Sequence, residues 1–217
     1  MPFQNRVTPT GELIAVADRG TLTGNRGVLN NDRGEIVRQS RGRRWITCLL
    51  AFRDRHRVVM TPRRYTNLFF LDDATALAAG HRPCGECRNA DYQRFRHCWA
   101  VAHMIPTPPG ADAMDDVLHH ERAPWGARRR TESQDAETLP DGVFVAWQDG
   151  AWLVRNAELL RWTPGGYTDR SSLPRGRLRV ITPATTVAVV RAGFRPELHP
   201  TATAPGIRGQ SGQVGHR

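Results

Sequence analysis

Apolar positions change period along this chain, and each change predicts an element. Trp45-Ile46-Thr47-Cys48-Leu49-Leu50-Ala51-Phe52 is almost unbroken, and Val58 to Met60 follows after polar Arg53 to His56, which predicts two strands paired as a hairpin. Leu68 to Leu71 predicts another short strand. Ala74 to Ala79 then predicts a helix with Asp72 or Asp73 as its N-cap and Gly80 as the left-handed residue that ends it. Tyr92, Phe95, Cys98, Trp99 and Ala102 recur at three- and four-residue spacing, the stripe of an amphipathic helix with Cys98 facing the core. Pro106 to Gly110 breaks that helix, and Met114, Val117 and Leu118 begin another that runs toward Arg128-Arg129-Arg130. Beyond Asp141 the period falls to two. Val143 to Gln148, Asp149-Gly150 and Ala151 to Val154 read as a tight hairpin, and Leu159 to Trp162, Leu178 to Ile181 and Thr186 to Val190 as further strands.

The pattern predicts an α+β protein: an irregular arm over 1–20, a small α/β module over 21–104, a helical linker over 105–140, a small antiparallel β domain over 141–199 and a disordered tail over 200–217. Turn clusters at Thr23 to Gly27 and Asn30 to Gly34 fall inside the first module. The low hydrophobic fraction of 39%, with 20 glycines and 15 prolines, favours two small cores over one large one. No run approaches the roughly 18 apolar residues that cross a bilayer, and the first residues lack the apolar stretch of a secretory signal. The expectation is a cytoplasmic protein with no membrane partner.

Charge narrows the classes of partner. All 31 basic residues are arginine, against 21 acids, for a formal charge of +10. Without lysine there is no lysine Schiff base, hence no lysine-dependent lyase chemistry, and no phosphate loop ending in Gly-Lys-Ser/Thr. Arginine forks suit phosphate oxygens and stack on bases, and 13 of them fall in residues 1–64 beside only 5 acids. Arg41, Arg43 and Arg44, next to Trp45, form the cluster best suited to DNA or RNA, and Arg82 and Arg88 bracket the cysteine pair described next. Solvated surface charge around a core tryptophan is the alternative. Asp116 and His120 share a helical face, which reads as exposed polarity before it reads as a second metal site.

Cys84-Gly85-Glu86-Cys87 places two thiols on one tight turn, a spacing used for zinc and for thiol redox chemistry. A redox pair is expected at the start of a helix after a strand. Here the pair follows the end of the predicted helix, so metal binding fits better. His81 would give His-x-x-Cys-x-x-Cys without distant closure, with a core or stacking histidine as the equal alternative. His56 and Cys98 are the other candidates, although His56 and Cys48 on opposite arms of one hairpin would stand more than about 10 Å apart.

Phe69-Phe70 followed by Ala76-Leu77-Ala78-Ala79-Gly80-His81-Arg82-Pro83-Cys84-Gly85-Glu86-Cys87 resembles the zinc-binding domain of the bacterial adaptive-response DNA repair proteins (Ada). The likeness is dense over about 20 residues and looser over 45–90. It implies a zinc-stapled α/β module in a bacterial protein, with a link to DNA repair or regulation. That family holds zinc with four cysteines, two from an earlier strand region and two from Arg-Pro-Cys-x-x-Cys. Cys84 and Cys87 match the second pair, and Cys48 is the earlier cysteine available to match the first. The fourth ligand has no match, His81 standing where the family has an aromatic. An earlier zinc thiolate of that family accepts a methyl group from a DNA phosphotriester, so Cys48 could be a ligand or a nucleophile. Its apolar flanks favour the ligand. The expectation is a zinc-containing nucleic-acid-binding protein, not committed to catalysis. The alternatives are alkyl transfer through Cys48 and a zinc-stapled protein-interaction module.

Overall fold

A computed structural model describes residues 1–53, 59–122, 131–204 and, as backbone, 208–209. The α+β class is correct: among the described residues, four helices accompany two sheets. In the first sheet the strands are β1 (Gln4–Val7), β2 (Leu13–Ala15), β3 (Leu22–Asn25), β4 (Ile46–Leu49), β5 (Leu68–Phe70) and β6 (Arg82–Pro83), in the order β2-β1-β5-β3-β4-β6. The segment expected as an irregular arm supplies β1 and β2 instead. Strand β4 does not pair with Val59-Met60, which lie in a turn. It pairs antiparallel with β3 and parallel with β6. Gly24 permits this packing, since a Cβ there would lie 2.2 Å from the Ile46 carbonyl oxygen.

Helix α1 (Asp73–Ala78) shows why its sequence is rich in alanine. All six residues are buried. Ala76 packs toward the first sheet, Leu77 toward a second cluster and Ala74 and Ala78 toward a third, so small side chains are needed all round. Asp72 caps the helix by accepting from the Thr75 amide at 2.9 Å, and Gly80, at φ +85°, leaves it. Helix α2 (Asn89–Ala102) follows as expected, and α3 (Ala111–Glu121) begins earlier than its apolar stripe and ends at Glu121, where Arg122 is extended; Arg128 to Arg130 lie outside the described residues.

The remaining strands are β7 (Ser133–Asp135), β8 (Phe144–Trp147), β9 (Gly150–Arg155), β10 (Glu158–Thr163), β11 (Gly166–Ser172), β12 (Arg177–Val180) and β13 (Arg208–Gly209), ordered β13-β11-β10-β9-β8-β12-β7. Both faces of this sheet are covered, which explains the apolar runs Val143-Phe144-Val145 and Trp152-Leu153-Val154. Val143, Val145, Trp152 and Val154 pack with Phe95, Trp99, Met114 and Leu118 of α2 and α3, while Phe144 and Leu153 pack with Ala74 and Ala78 of α1. Helix α3, expected within a linker, thus contributes to the main core.

Thr186 to Val190 is helical, not a strand: α4 (Ala184–Arg191) starts after Pro183 and buries Val187, Val189 and Val190. Packing against α2 and α3 overrides the β propensity of its branched residues. Residues 201–204, expected in a disordered tail, are placed, with Ala202 buried. Asp72 ties this end to α1, because its second oxygen accepts from the Tyr167 hydroxyl at 2.7 Å and the His199 amide at 3.0 Å. No described helix is long and apolar enough to cross a membrane.

Candidate metal centre

Strand β4 brings Cys48 to the cysteine turn. Its neighbour β6 pairs Ile46 with Arg82 and Thr47 with Pro83, and the ladder continues as the Cys84 amide donates to the Thr47 carbonyl at 2.9 Å. The chain then turns. The Glu86 amide donates to Cys84 Sγ at 3.4 Å, and the Arg88 amide closes the turn on the Cys84 carbonyl at 3.2 Å. The sulfurs of Cys48, Cys84 and Cys87 all lie within 4.8 Å of one another, and among the described residues no other such group of three or more metal-ligating side chains forms. Tetrahedral zinc with bonds of about 2.3 Å sets its sulfurs roughly 3.8 Å apart, a spacing inside that limit.

Three sulfurs at this spacing cannot all ionise in the protein alone. Bonds donated by the Cys48 and Cys87 thiols pull Cys84 far below the usual thiol range. Cys48 is pushed far above it, first by its bond to Cys84, then by its bond to Cys87 and by burial. For Cys87, a bond from Cys48 lowers the value but is outweighed by its bond to Cys84 and by burial, which raise it. A soft metal ion would replace the shared protons with one charge centre, the chemistry to which thiolate sets are suited. Cys84 is buried, whereas Cys48 and Cys87 are half-buried and Leu49 and Leu50 beside them are exposed. The apolar run around Cys48 therefore does not bury it.

Chain order alone does not separate metal from redox chemistry. β6 precedes the pair and α2 opens two residues after Cys87, the strand-then-helix arrangement expected of a redox pair. What separates them is the third thiol.

The other predicted ligands sit elsewhere. His81 is buried, its ring 4.6 Å from Phe70 and 5.2 Å from Trp45, with Nε2 accepting from Arg26 at 3.2 Å; it is not gathered with the thiols. Cys98 lies in the main core on α2, where burial raises its thiol. His56 lies outside the described residues. Asp116 pairs with Arg43 and His120 bonds the Asp116 carbonyl, so they do not converge as a metal pair.

The structure also sorts the arginines. Arg82 and Arg88 are buried and committed, which removes them as contacts for nucleic acid. Arg82 forms a fork on Asp115 at 3.0 and 2.7 Å. Arg88 bonds Asp73, Asp91 and Thr47; burial alone would lower its pKa, but Asp73 and then Asp91 hold it above the usual arginine range. Trp45 is closed to bases because the guanidinium groups of Arg26 and Arg122 pack on its ring at 4.1 and 4.5 Å. Arg43 and Arg44 are exposed, in surface pairs with Asp116 and Asp112. Arg41 lines an open cleft of about 500 Å³ with Arg38, Arg63, Asp32, Val28 and Val37, built mainly from the connection between β3 and β4. Arg63 pairs with Asp32, whereas Arg38 and Arg41 have no carboxylate partner among the described residues.

Sequence reasoning missed Arg38 and Arg63 in this cleft, and Thr47, Asp73 and Asp115 as anchors of the cysteine turn. Asp115 lies 33 residues from Arg82, and no local spacing announces that pair.

No protein-family profile matches the chain, and no curated protein or solved structure matches it significantly.

Proposed function

We propose that this is a zinc protein that binds nucleic acid, in which the metal holds β4 to the Cys84–Cys87 turn and an arginine surface meets phosphates. The observation that carries the metal is the convergence of three thiols from two segments 36 residues apart in sequence. Sulfur donors favour zinc among the common divalent ions. Three protein ligands leave a fourth tetrahedral position for water or another donor.

Support for nucleic acid comes from the formal charge of +10 and from where the unburied part of it lies. Arg38 and Arg41 face an open cleft, and Arg43 and Arg44 make only exposed pairs, which cost little to exchange for phosphate. The connection that lines the cleft runs directly into β4, which carries Cys48, so fixing β4 on the metal also fixes one end of the phosphate surface.

Two measurements test this. Metal analysis should find one zinc per chain, lost in Cys84→Ser and Cys48→Ser. Affinity for DNA or RNA should fall with salt, by about 10- to 40-fold between 50 and 200 mM for two or three phosphate contacts, and should weaken in Arg38→Ala/Arg41→Ala. A flat salt response with zinc bound would favour a zinc-stapled protein-interaction module.

The half-exposure of Cys48 favours a second reading, alkyl transfer. The zinc-bound sulfur would attack a methyl carbon of a DNA phosphotriester, forming S–C while C–O breaks and its electron pair passes to the phosphate oxygen. A methyl mass increment on Cys48 after exposure to methylated DNA supports it. An unchanged mass with zinc bound removes it.

A further inference from the structure

The geometry points to Arg88 as the positioning residue that sets the two sulfur-bearing segments at metal-binding distance before an ion arrives. The inference rests on the metal reading above and extends it to a residue that touches no sulfur.

Arg88 follows Cys87, and Thr47 precedes Cys48. The guanidinium of Arg88 donates from Nη1 to Thr47 Oγ1 at 2.8 Å, so the residue after one ligand grips the residue before another. This side-chain bond runs beside the backbone bond from the Cys84 amide to the Thr47 carbonyl. The ladder also carries the bond from the Arg82 amide to the Trp45 carbonyl at 3.2 Å, and the Thr47 hydroxyl donates to the Arg82 carbonyl at 3.4 Å. The Arg88 bond adds a side-chain clamp on the cysteine side of that ladder, where it resists rotation of β4 against the turn. The fork is itself fixed: Nη1 and Nη2 bond the two oxygens of Asp73 at 2.8 and 3.1 Å, and Nε bonds Asp91 at 2.9 Å. Asp73 opens α1, which is buried on all sides, and Asp91 lies in the first turn of α2. The cysteine turn is thus referred to a helix whose six residues are all buried, through one planar side chain.

Arg82 does not share this role, because its fork holds Asp115 on α3 and reaches no side chain of β4. Nor does Arg88 act as a countercharge to the thiolates. Asp73 and Asp91 already offset its charge, so its contribution is geometric, and lysine, with the same charge but no fork, should not replace it.

The test is a cobalt(II) titration of the metal-free full chain, read by the thiolate-to-cobalt charge-transfer band and the tetrahedral d–d bands. Thr47→Val removes the hydroxyl that Arg88 grips, with its longer bond to the Arg82 carbonyl at 3.4 Å, while leaving the strand side chain its volume and Arg88 its carboxylates. Arg88→Lys keeps a cation beside Asp73. Both variants should bind cobalt about 10-fold more weakly, the low end of the range for groups that orient ligands. Their d–d bands should broaden; the metal-free thermal midpoint of Thr47→Val should stay near that of the wild type, whereas that of Arg88→Lys should fall, because the buried Asp73 loses its fork. Wild-type affinity and an unchanged spectrum in Thr47→Val and Arg88→Lys would overturn the role of Arg88 alone. If the wild type shows no thiolate-to-cobalt band, the metal reading falls and takes this inference with it.

Discussion

The two sheets of this protein are held by different physics. Around the first sheet, Arg6, Arg26, Arg82, Arg88, Asp73, Asp115 and Arg122 are all buried, while the apolar cluster there is small. Its strands are two to four residues long. Around the second sheet, strands reach seven residues, both faces are apolar, and the buried polar residues beyond Arg122 are Thr182, Thr185 and Thr186. Directional bonds define the first region, and area removed from water holds the second. A framework of ion pairs gives geometric definition with little net stability, because desolvation offsets most of the attraction. The thiol triad belongs to the region with less apolar support, where a metal would add most.

The contrast can be broken from either side. Phe144→Ala should cost about 3–5 kcal/mol and lower the urea midpoint for the whole molecule, since its ring lies between the second sheet and α1. A loss confined to a few amides would show that the second sheet is not the main source of stability. Stripping the metal should remove about 2.7 kcal/mol where the free ion stood at 100 times its dissociation constant. Hydrogen exchange should then speed in β3, β4 and β6 while β8, β9 and β10 stay protected; uniform acceleration would abolish the distinction between the regions. Because thiols must shed protons to bind the ion, metal affinity should rise with pH across the thiol range.

Asp72 is the joint between the two regions, and its effect should be next in size. Asp72→Ala removes the cap of α1 and leaves the Tyr167 hydroxyl without its acceptor, together about 2 kcal/mol. Asp72→Asn, which retains a carbonyl at the cap, should lose less by thermal melting. The smallest effect is expected at Arg43→Ala/Arg44→Ala, within about 0.5 kcal/mol for exposed pairs. A filter-binding assay with DNA or RNA should nevertheless register the change. A large stability loss without a change in binding would make these arginines part of the scaffold, as Arg82 and Arg88 are.

Several elements were legible because their signals are local. The Asp72 cap, the Ala-rich helix and Gly80, the apolar stripe of α2 and the β8–β9 hairpin each follow from residues a few positions apart. The hairpin loop lies one residue earlier than Asp149-Gly150 suggests, since Trp147 pairs with Gly150 and the loop is Gln148-Asp149. Strands β1 and β2 were not legible because four- and three-residue strands carry no measurable period. Sequence proximity suggests a hairpin of β4 with Val58 to Met60, but β3 and β6, distant in sequence, flank it. Val187, Val189 and Val190 of α4 favour a strand by propensity, and packing of α2 and α3 against them makes the segment helical.

The cysteine turn was fixed by sequence alone, since its two thiols are separated by a single turn of chain. So was the arginine-only charge, because composition needs no fold. Cys48 was also nameable from sequence, as the earlier cysteine available to that turn, although the β4–β6 pairing that delivers it was not. Tertiary structure alone decided that His81 would be enclosed by Trp45, Phe70 and Arg26, and that Arg82 and Arg88 would serve inside the protein while Arg38 and Arg41 face the cleft. The reason is the character of the guanidinium group. Its fork satisfies a buried carboxylate and a solvent-borne phosphate by the same geometry, so residue type cannot say which it meets; only the position of Asp73 or Asp115 across the fold can.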